Sequence, residues 1–274
     1  MESRSSNEST RNRPVGFFDS GLGGLTVVRE FVARAPAEDV IYLGDTARLP
    51  YGTKSARTVL RFSRENAEFL VKKGVKMVVI ACSTASSIAL TELRNTLEVP
   101  VLGVVEAGAG AEIFKRRNFD KIGIIGTVAS MRKREYHRLV KELQPQAEIV
   151  SRPCPLFVPL VEEGMVSGSI ARAVVEHYLS DLKDVQALIL GCTHYPLLKP
   201  LLREYFGEDT VLIDPSEEAA AQAAAMLERM NIQKTSGQGK VHVYLTDLPP
   251  GYETLVERFV GPVPLLIHNA QEEA

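Results

Sequence analysis

The sequence predicts an α/β fold with mainly parallel sheets flanked by helices. Short, continuous apolar segments recur along the chain, and the segments between them carry apolar residues at helical spacing. Apolar runs of this length are typical of strands that are covered on both faces, as they are in parallel sheets. Regular alternation of such strands with helices is the pattern of α/β proteins.

Nine apolar segments are predicted to be strands. They span residues 15–18, 40–43, 77–81, 99–104, 122–125, 187–190, 211–213, 241–245 and 263–267. Among the helical segments, the one from Ser55 to Lys73 has the clearest boundaries. Ser55 is a suitable N-cap for this helix, and Gly74 is a suitable stop signal.

The chain also contains a weak internal repeat. Two glycine-containing strand segments, 16–21 and 122–127, open similar stretches, and two cysteine-containing strand ends, 78–84 and 187–194, follow them at similar distances. Any two βα units share some resemblance, so periodicity alone leaves this open. The matching cysteines favour a duplication, and hence two similar lobes.

Composition limits the classes of partner. The 274 residues have a formal net charge of −2 and a hydrophobic content of 45%, which is typical of a globular protein. This near-neutral balance argues against nucleic acid or membrane partners. Residues 1–13 are polar, which predicts a flexible tail, and they lack the apolar stretch of a signal peptide. We therefore expect a cytoplasmic protein.

Two of the three cysteines are candidates for chemistry. Cys82 and Cys192 each follow a predicted strand and precede a predicted helix, beginning near Thr84 and at Pro196 respectively. A helix N-terminus stabilises a thiolate, although a buried cysteine is also common as a small apolar residue. Cys154 lies between prolines and is predicted to be structural. The wide spacing of the cysteines, without a CxxC pair, argues against a metal site or a disulfide framework.

Two loops and one histidine could complete a site. The segment 19–24 has an aspartate and several glycines, so it could bind a carboxylate while Asp19 meets an ammonium group or transfers a proton; Asp19 could equally be a helix N-cap. The loop 44–52 is rich in hydrogen-bonding groups but could be a simple connection. His194, two residues after Cys192, could shuttle a proton or act only as a cap.

Four motifs in sequence order resemble a known family. They are Phe18-Asp19-Ser20-Gly21-Leu22-Gly23-Gly24, the loop from Leu43-Gly44-Asp45-Thr46 to Pro50-Tyr51-Gly52, Ala81-Cys82-Ser83-Thr84-Ala85-Ser86, and Gly191-Cys192-Thr193-His194-Tyr195-Pro196. Together they resemble the glutamate racemases, within the aspartate/glutamate racemase superfamily. The resemblance extends from about Pro14 to the C-terminal strand.

The resemblance implies an enzyme without a cofactor that interconverts L- and D-glutamate and supplies D-glutamate for peptidoglycan. It implies two thiols as acid/base residues, with three further residues that support proton transfer. These five candidates are Cys82, Cys192, Asp19, His194 and Glu162, the last beside Glu163. The implied substrate-binding residues are Asp19, Ser20, Pro50, Tyr51, Gly52, Ser83, Thr84, Thr127, Thr193 and His194.

Ser83 is the one departure within the motifs. The family usually has Asn at this position, and that side chain belongs to the substrate-binding set. Serine is shorter and has no amide donor, so this change predicts a weaker substrate contact or a shifted specificity.

We predict two lobes with the active site in the cleft between them. By the resemblance, the first lobe comprises residues 14–105 and 214–268, and the second comprises residues 106–213. An aspartate racemase or another racemase of the superfamily is an alternative enzyme, and a noncatalytic two-lobed amino-acid-binding protein is an alternative of another class. Members of the family often form dimers, so a homodimer is a further expectation, although no segment indicates an interface.

Overall fold

A computed structural model of the protein describes residues 9–248 and 250–272. Its framework is a pair of parallel sheets, as the sequence predicts. The strands are β1 (Val15–Asp19), β2 (Val40–Gly44), β3 (Met77–Ile80), β4 (Val101–Gly103), β5 (Lys121–Gly126), β6 (Glu148–Pro153), β7 (Ala187–Gly191), β8 (Val211–Ile213), β9 (Val241–Leu245) and β10 (Leu265–Asn269).

Helices connect these strands and cover the sheets. They are α1 (Leu25–Arg34), α2 (Ala56–Lys72), α3 (Ser83–Thr96), α4 (Val104–Ala109), α5 (Ile113–Arg116), α6 (Val128–Lys133), α7 (Glu135–Leu143), α8 (Phe157–Glu162), α9 (Gly168–Leu179), α10 (Lys199–Phe206), α11 (Pro215–Arg229) and α12 (Tyr252–Val260). The predicted cap of α2 is present, since the Ser55 hydroxyl accepts a hydrogen bond from the Thr58 amide at 3.3 Å. In the described part of the chain, no helix has both the length and the apolar character that a membrane crossing requires.

The order of the strands supports the internal repeat. The first sheet has the order β10-β9-β2-β1-β3-β4, and the second has the order β6-β5-β7-β8. The segment β2-β1-β3-β4 therefore has the same arrangement as β6-β5-β7-β8, and all of the pairings are parallel. Because parallel strands share one carboxyl edge, the loops after β1 and β3 lie together, as do those after β5 and β7.

All nine predicted strands are present, with small differences at their ends, and a tenth was not predicted. The strand β6 is an edge strand in which no residue is fully buried, and its sequence is Glu-Ile-Val-Ser-Arg-Pro. A continuous apolar run is expected only where both faces are covered, so this strand lacks the pattern that identifies the others.

The sheets suggest how the chain divides, and we propose the predicted lobes on that basis. The second sheet takes its strands from residues 121–213, whereas β9 and β10 return to the first sheet beside β2. Between them, α11 packs against both α1 and α4. The first lobe therefore gains its C-terminal part after the second lobe is complete.

Part of the predicted tail lies against the first lobe. Residues 1–8 lie outside the described residues, but Arg11 and Arg13 donate hydrogen bonds to Asn231 and to the Gly74 carbonyl. The Arg11 carbonyl accepts a bond from Lys76 Nζ at 2.8 Å. Lys76 is buried and also pairs with buried Glu38 at 2.6 Å.

We expect Lys76→Met to lower the free energy of unfolding by about 3–5 kcal/mol, because it leaves the Glu38 carboxylate buried without its cation. Urea titration would measure this. Lys115→Met, which removes an exposed pair with Glu112, is the matched control and should change the free energy of unfolding by less than about 1 kcal/mol. Equal effects of the two substitutions would contradict the importance of the buried pair.

Candidate active site

A cavity of about 300 Å³ lies between the segments that follow β1, β2 and β3 of the first sheet and those that follow β5, β6 and β7 of the second. Every residue that the sequence predicts for the site lines this cavity. These residues are Asp19, Ser20, Pro50, Tyr51, Gly52, Cys82, Ser83, Thr84, Thr127, Glu162, Cys192, Thr193 and His194. Their roles remain predictions, but both lobes contribute to a single site.

Cys82 is the N-cap of α3. Its sulfur accepts a hydrogen bond from the Ala85 amide at 3.5 Å, and its thiol lies 3.6 Å from the Ser20 hydroxyl. Burial raises the pKa of this thiol and the charge of Asp19 raises it further, against the lowering effect of the hydrogen bonds from Ala85 and Ser20. In the unliganded protein, Cys82 is therefore a neutral thiol that can donate a proton.

Asp19 ends β1, and its two carboxylate oxygens differ. Oδ2 accepts hydrogen bonds from the Gly21 and Gly24 amides at 3.3 and 3.0 Å. Oδ1 is buried and has no hydrogen-bond partner among the described residues. A buried carboxylate oxygen is unfavourable unless it is paired. Asp19 is thus suited to a cationic group, such as the ammonium of an amino acid.

Cys192 has a different environment, built from a histidine and a carboxylate. Its sulfur lies 3.9 Å from His194 Nδ1, and His194 Nε2 lies 3.0 Å from Glu162 Oε1. Burial would lower the pKa of His194, but the interactions with Cys192 and Glu162 outweigh it and raise the pKa to about 10. His194 is therefore the polar group nearest the Cys192 sulfur, and it links that sulfur to Glu162.

The prediction that a helix begins at Pro196, shortly after Cys192, is wrong for an α-helix. A single 3₁₀ turn, Tyr195–Leu198, follows Cys192, and α10 begins only at Lys199. Cys192 therefore does not cap an α-helix as Cys82 does. The imidazole of His194, rather than a helix terminus, supplies the local positive charge.

The loop after β2 is held by a buried polar network. The Tyr51 hydroxyl donates to the Asp45 carboxylate and accepts from Asn66 Nδ2 at 3.1 Å, while Arg48 pairs with Asp45 at 2.8 Å. Burial raises the pKa of Tyr51 and the charge of Asp45 raises it further, so the phenol stays protonated. Because this hydroxyl is already engaged, the backbone from Tyr51 to Gly52 is the part of the loop that remains available to a ligand.

Hydroxyl groups from both lobes meet in the cavity. Thr84 Oγ1 at the start of α3 lies 3.2 Å from Thr127 Oγ1, and Thr127 is the N-cap of α6 through a bond from the Ser130 amide at 3.2 Å. The Thr127 and Ser130 hydroxyls lie 3.0 Å apart. Such a cluster beside the N-terminus of a 14-residue helix can bind a carboxylate.

The lobes approach each other closely beside this cavity. A Cβ atom on Gly23 would lie 2.5 Å from both His194 Nδ1 and Thr193 Oγ1, so only glycine fits between the two loops. The Thr26 hydroxyl donates to the Gly23 carbonyl at 2.8 Å and lies 3.1 Å from the Thr193 carbonyl. These contacts fix the position of the loop of Cys192 relative to the first lobe.

Sequence reasoning missed several residues that support the site. Arg48, within the loop 44–52 but not singled out there, and Asn66 brace the loop of Tyr51, and Pro155, Val158 and Pro159 from the segment around α8 add an apolar wall. The motif reading identified residues at strand ends, and nothing in their spacing points to these partners.

Cys154 is buried outside the cavity, and its thiol lies 3.6 Å from the Arg152 carbonyl, in agreement with a structural role.

Known proteins are similar to this chain in both sequence and fold. The family described as Asp/Glu/hydantoin racemase matches residues 20–223. A glutamate racemase from Geobacter metallireducens is 46% identical over 252 residues, covering 91% of this chain and 93% of that protein. One from Aquifex pyrophilus is 45% identical over 248 residues, covering 90% and 94%. The crystal structure of glutamate racemase from Francisella tularensis in complex with D-glutamate has a TM-score of 0.87 at 38% identity, covering 96% of this chain and 99% of that one.

The unequal environments of the two thiols can be tested with a thiol reagent. We expect iodoacetamide to alkylate Cys192 faster than Cys82 at neutral pH, because the two are similarly buried but only Cys192 lies beside a cationic imidazole. Peptide mass spectrometry over a time course would give both rates. His194→Gln should slow the labelling of Cys192 and leave that of Cys82 unchanged. Faster labelling of Cys82 in the wild type would contradict the assignment.

Proposed function

We infer that this chain, which belongs to the Asp/Glu/hydantoin racemase family, is a racemase that interconverts L-glutamate and D-glutamate. Two findings support this activity: the family match, and the 45–46% identity to glutamate racemases over nine-tenths of the chain. The mechanism that we propose depends on one observation of the site: Cys82 and Cys192 line the same cavity, and each comes from a different lobe.

Racemisation by proton transfer requires a base on one face of the α-carbon and an acid on the other. We propose that Cys192 removes the α-proton of L-glutamate and that Cys82 delivers a proton to the opposite face, giving D-glutamate. In the reverse direction Cys82 is the base and Cys192 the acid. Two thiols supply this symmetry, whereas a nucleophilic mechanism would need only one.

The neighbours of the thiols have matching roles in this proposal. His194 stabilises the thiolate of Cys192 and is itself oriented by Glu162. Asp19 binds the substrate ammonium through its unpaired oxygen, close to Cys82. Ser20, Thr193, and the backbone of Pro50, Tyr51 and Gly52 complete the substrate contacts around the cavity.

Removal of the α-proton leaves a carbanion, whose negative charge spreads onto the substrate carboxylate. We propose that groups of this chain alone stabilise that charge. The N-terminus of α3, with Ser83 and Thr84, and the hydroxyl of Thr127 supply hydrogen bonds and a positive dipole end. A buried cavity strengthens these interactions because it excludes water. On this account the reaction needs no metal or organic cofactor.

The remaining parts of the proposal concern the setting of the enzyme. We propose that it acts in the cytoplasm and supplies D-glutamate for peptidoglycan synthesis, with glutamate as its small-molecule partner. A homodimer is part of the same proposal, and light scattering of the purified protein would test it.

We expect Cys82→Ala and Cys192→Ala each to lower racemisation by about a thousandfold or more, because each removes an acid/base group from one face of the substrate. Circular dichroism of glutamate would measure turnover from either enantiomer. Incorporation of solvent deuterium at the α-carbon would show the proton transfer directly. Cys154→Ala is the control and should be nearly silent, since this thiol lies outside the cavity. Turnover near the wild-type rate in either folded variant would exclude the two-thiol mechanism.

Ser83 gives a separate prediction about the substrate. Its side chain is buried at the start of α3 and lines the cavity. We expect Ser83→Ala to lower kcat/KM for glutamate by the equivalent of about 1–2 kcal/mol, the scale of one hydrogen bond to a charged group. Ser83→Asn should have a higher kcat/KM than Ser83→Ala, because its side chain supplies an amide donor.

Glutamate should remain the preferred substrate of the wild type and of Ser83→Asn. Circular-dichroism assays with glutamate, aspartate, glutamine and alanine would compare the kcat/KM values. Faster turnover of any of the other three amino acids by the wild type would contradict the substrate assignment and leave the proton-transfer mechanism standing.

A further inference from the structure

The helix α12 of the first lobe reaches across the cleft to the second lobe. It lies between β9 and β10, which belong to the first sheet, and it packs against α1. Its last turn carries Arg258 and Phe259, and both contact residues of the second lobe. Neither residue lines the substrate cavity, and neither belongs to the motifs by which the sequence predicts the site.

Arg258 binds the end of the helix that carries Glu162. Its Nη1 donates to the carbonyl of Val161 at 3.1 Å and to the carbonyl of Glu162. Both carbonyls lie in the last turn of α8, where a helix has few partners of its own for its C=O groups, and that of Val161 also accepts a hydrogen bond from the Gly164 amide at 3.0 Å. Within the described residues, Arg258 forms no ion pair, so its guanidinium is committed to this helix end.

Phe259 contacts His194, the hydrogen-bond partner of Glu162. Its ring lies 4.9 Å from the imidazole of His194, centroid to centroid, with an edge-on angle of 77°. The side chain is fully buried, and this geometry is a favourable one for two aromatic rings. The last turn of α12 therefore fixes the backbone of Glu162 through Arg258 and the ring of His194 through Phe259.

The need for this support follows from the exposure of Glu162. Its side chain is 41% exposed, whereas that of His194 is 10% exposed. A half-exposed carboxylate has many accessible rotamers, so its bond to His194 Nε2 depends on where the backbone holds it. His194 in turn sets the environment of the Cys192 sulfur.

Gly164, just after α8, packs against the guanidinium of Arg258. This residue has a φ of 75°, and a Cβ atom on it would lie 2.8 Å from Arg258 Nη2. Glycine therefore permits both the turn after α8 and the approach of the arginine.

We propose that Arg258 is a positioning residue for the Cys192 half of the reaction, holding Glu162 against His194 from across the cleft, with Phe259 as its aromatic partner. The proposal deepens the proposed function and rests on it. It predicts a loss confined to proton transfers at Cys192, while those at Cys82 keep their rate.

Kinetic isotope effects separate the two halves. We expect Arg258→Met to lower kcat by about tenfold in both directions, since a displaced acid/base group slows the step it serves. The isotope effect on kcat/KM with α-deuterated L-glutamate should rise, because removal of the α-proton by Cys192 becomes more rate-limiting. With α-deuterated D-glutamate it should fall, because reprotonation by Cys192 then limits the reaction. Arg258→Lys should recover part of the lost rate, since it keeps a donor and the charge.

Two further variants complete the test. Gly164→Ala should displace the guanidinium and shift the isotope effects in the same directions. Arg203→Met is the matched control, because Arg203 also binds backbone carbonyls beyond a helix end, those of Gly207 and Thr210 at 3.2 and 2.7 Å, but lies outside the cavity. It should leave both isotope effects unchanged, whatever stability it loses.

The outcomes are distinct. Unchanged isotope effects in folded Arg258→Met, or equal changes for both enantiomers, would overturn the positioning role. A wild-type enzyme that does not exchange the α-proton with solvent would instead overturn the proposed function itself.

Discussion

The contact between the two lobes is the constraint on which the site depends. Proton transfer to opposite faces of one carbon requires two thiols at a set separation, and each thiol here is carried by a different sheet. Gly23 brings the loop of Asp19 within reach of Thr193 and His194, and Thr26 bonds to the backbone on both sides of that contact. Any side chain at position 23 would alter the separation. The polar groups that meet there are therefore part of the catalytic geometry as well as of the packing.

Two sheets of the same strand order do not produce two equal half-sites. Cys82 is held by a helix terminus and a hydroxyl next to a buried carboxylate, while Cys192 is held by an imidazole. Burial and Asp19 raise the pKa of Cys82, whereas Cys192 lies beside an imidazole whose own pKa is raised to about 10. The two half-sites therefore differ in the groups that surround each sulfur, although their strands have the same order.

The sequence predicts most of this architecture because strand ends carry the chemistry. Apolar runs locate nine of the ten strands, and the residues after them line the cavity, as Cys82 and Thr127 do. What it cannot predict depends on contacts between distant segments. The edge strand β6 has no apolar run, and a 3₁₀ turn rather than an α-helix follows Cys192. Arg258 lies on an ordinary amphipathic helix, and only the fold shows that this helix spans the cleft.

The exposure of Glu162 has a consequence for the interval between turnovers. In the proposed mechanism each passage from L- to D-glutamate leaves a proton on the sulfur of Cys192 and removes one from Cys82, whose pKa is raised by burial and by Asp19. The enzyme must return to its resting form before it accepts the same enantiomer again. Through His194, the half-exposed carboxylate connects Cys192 to bulk water, whereas Asp19 is almost completely buried. In the proposed mechanism a proton can therefore leave Cys192 through the second lobe, while Cys82 regains its proton separately.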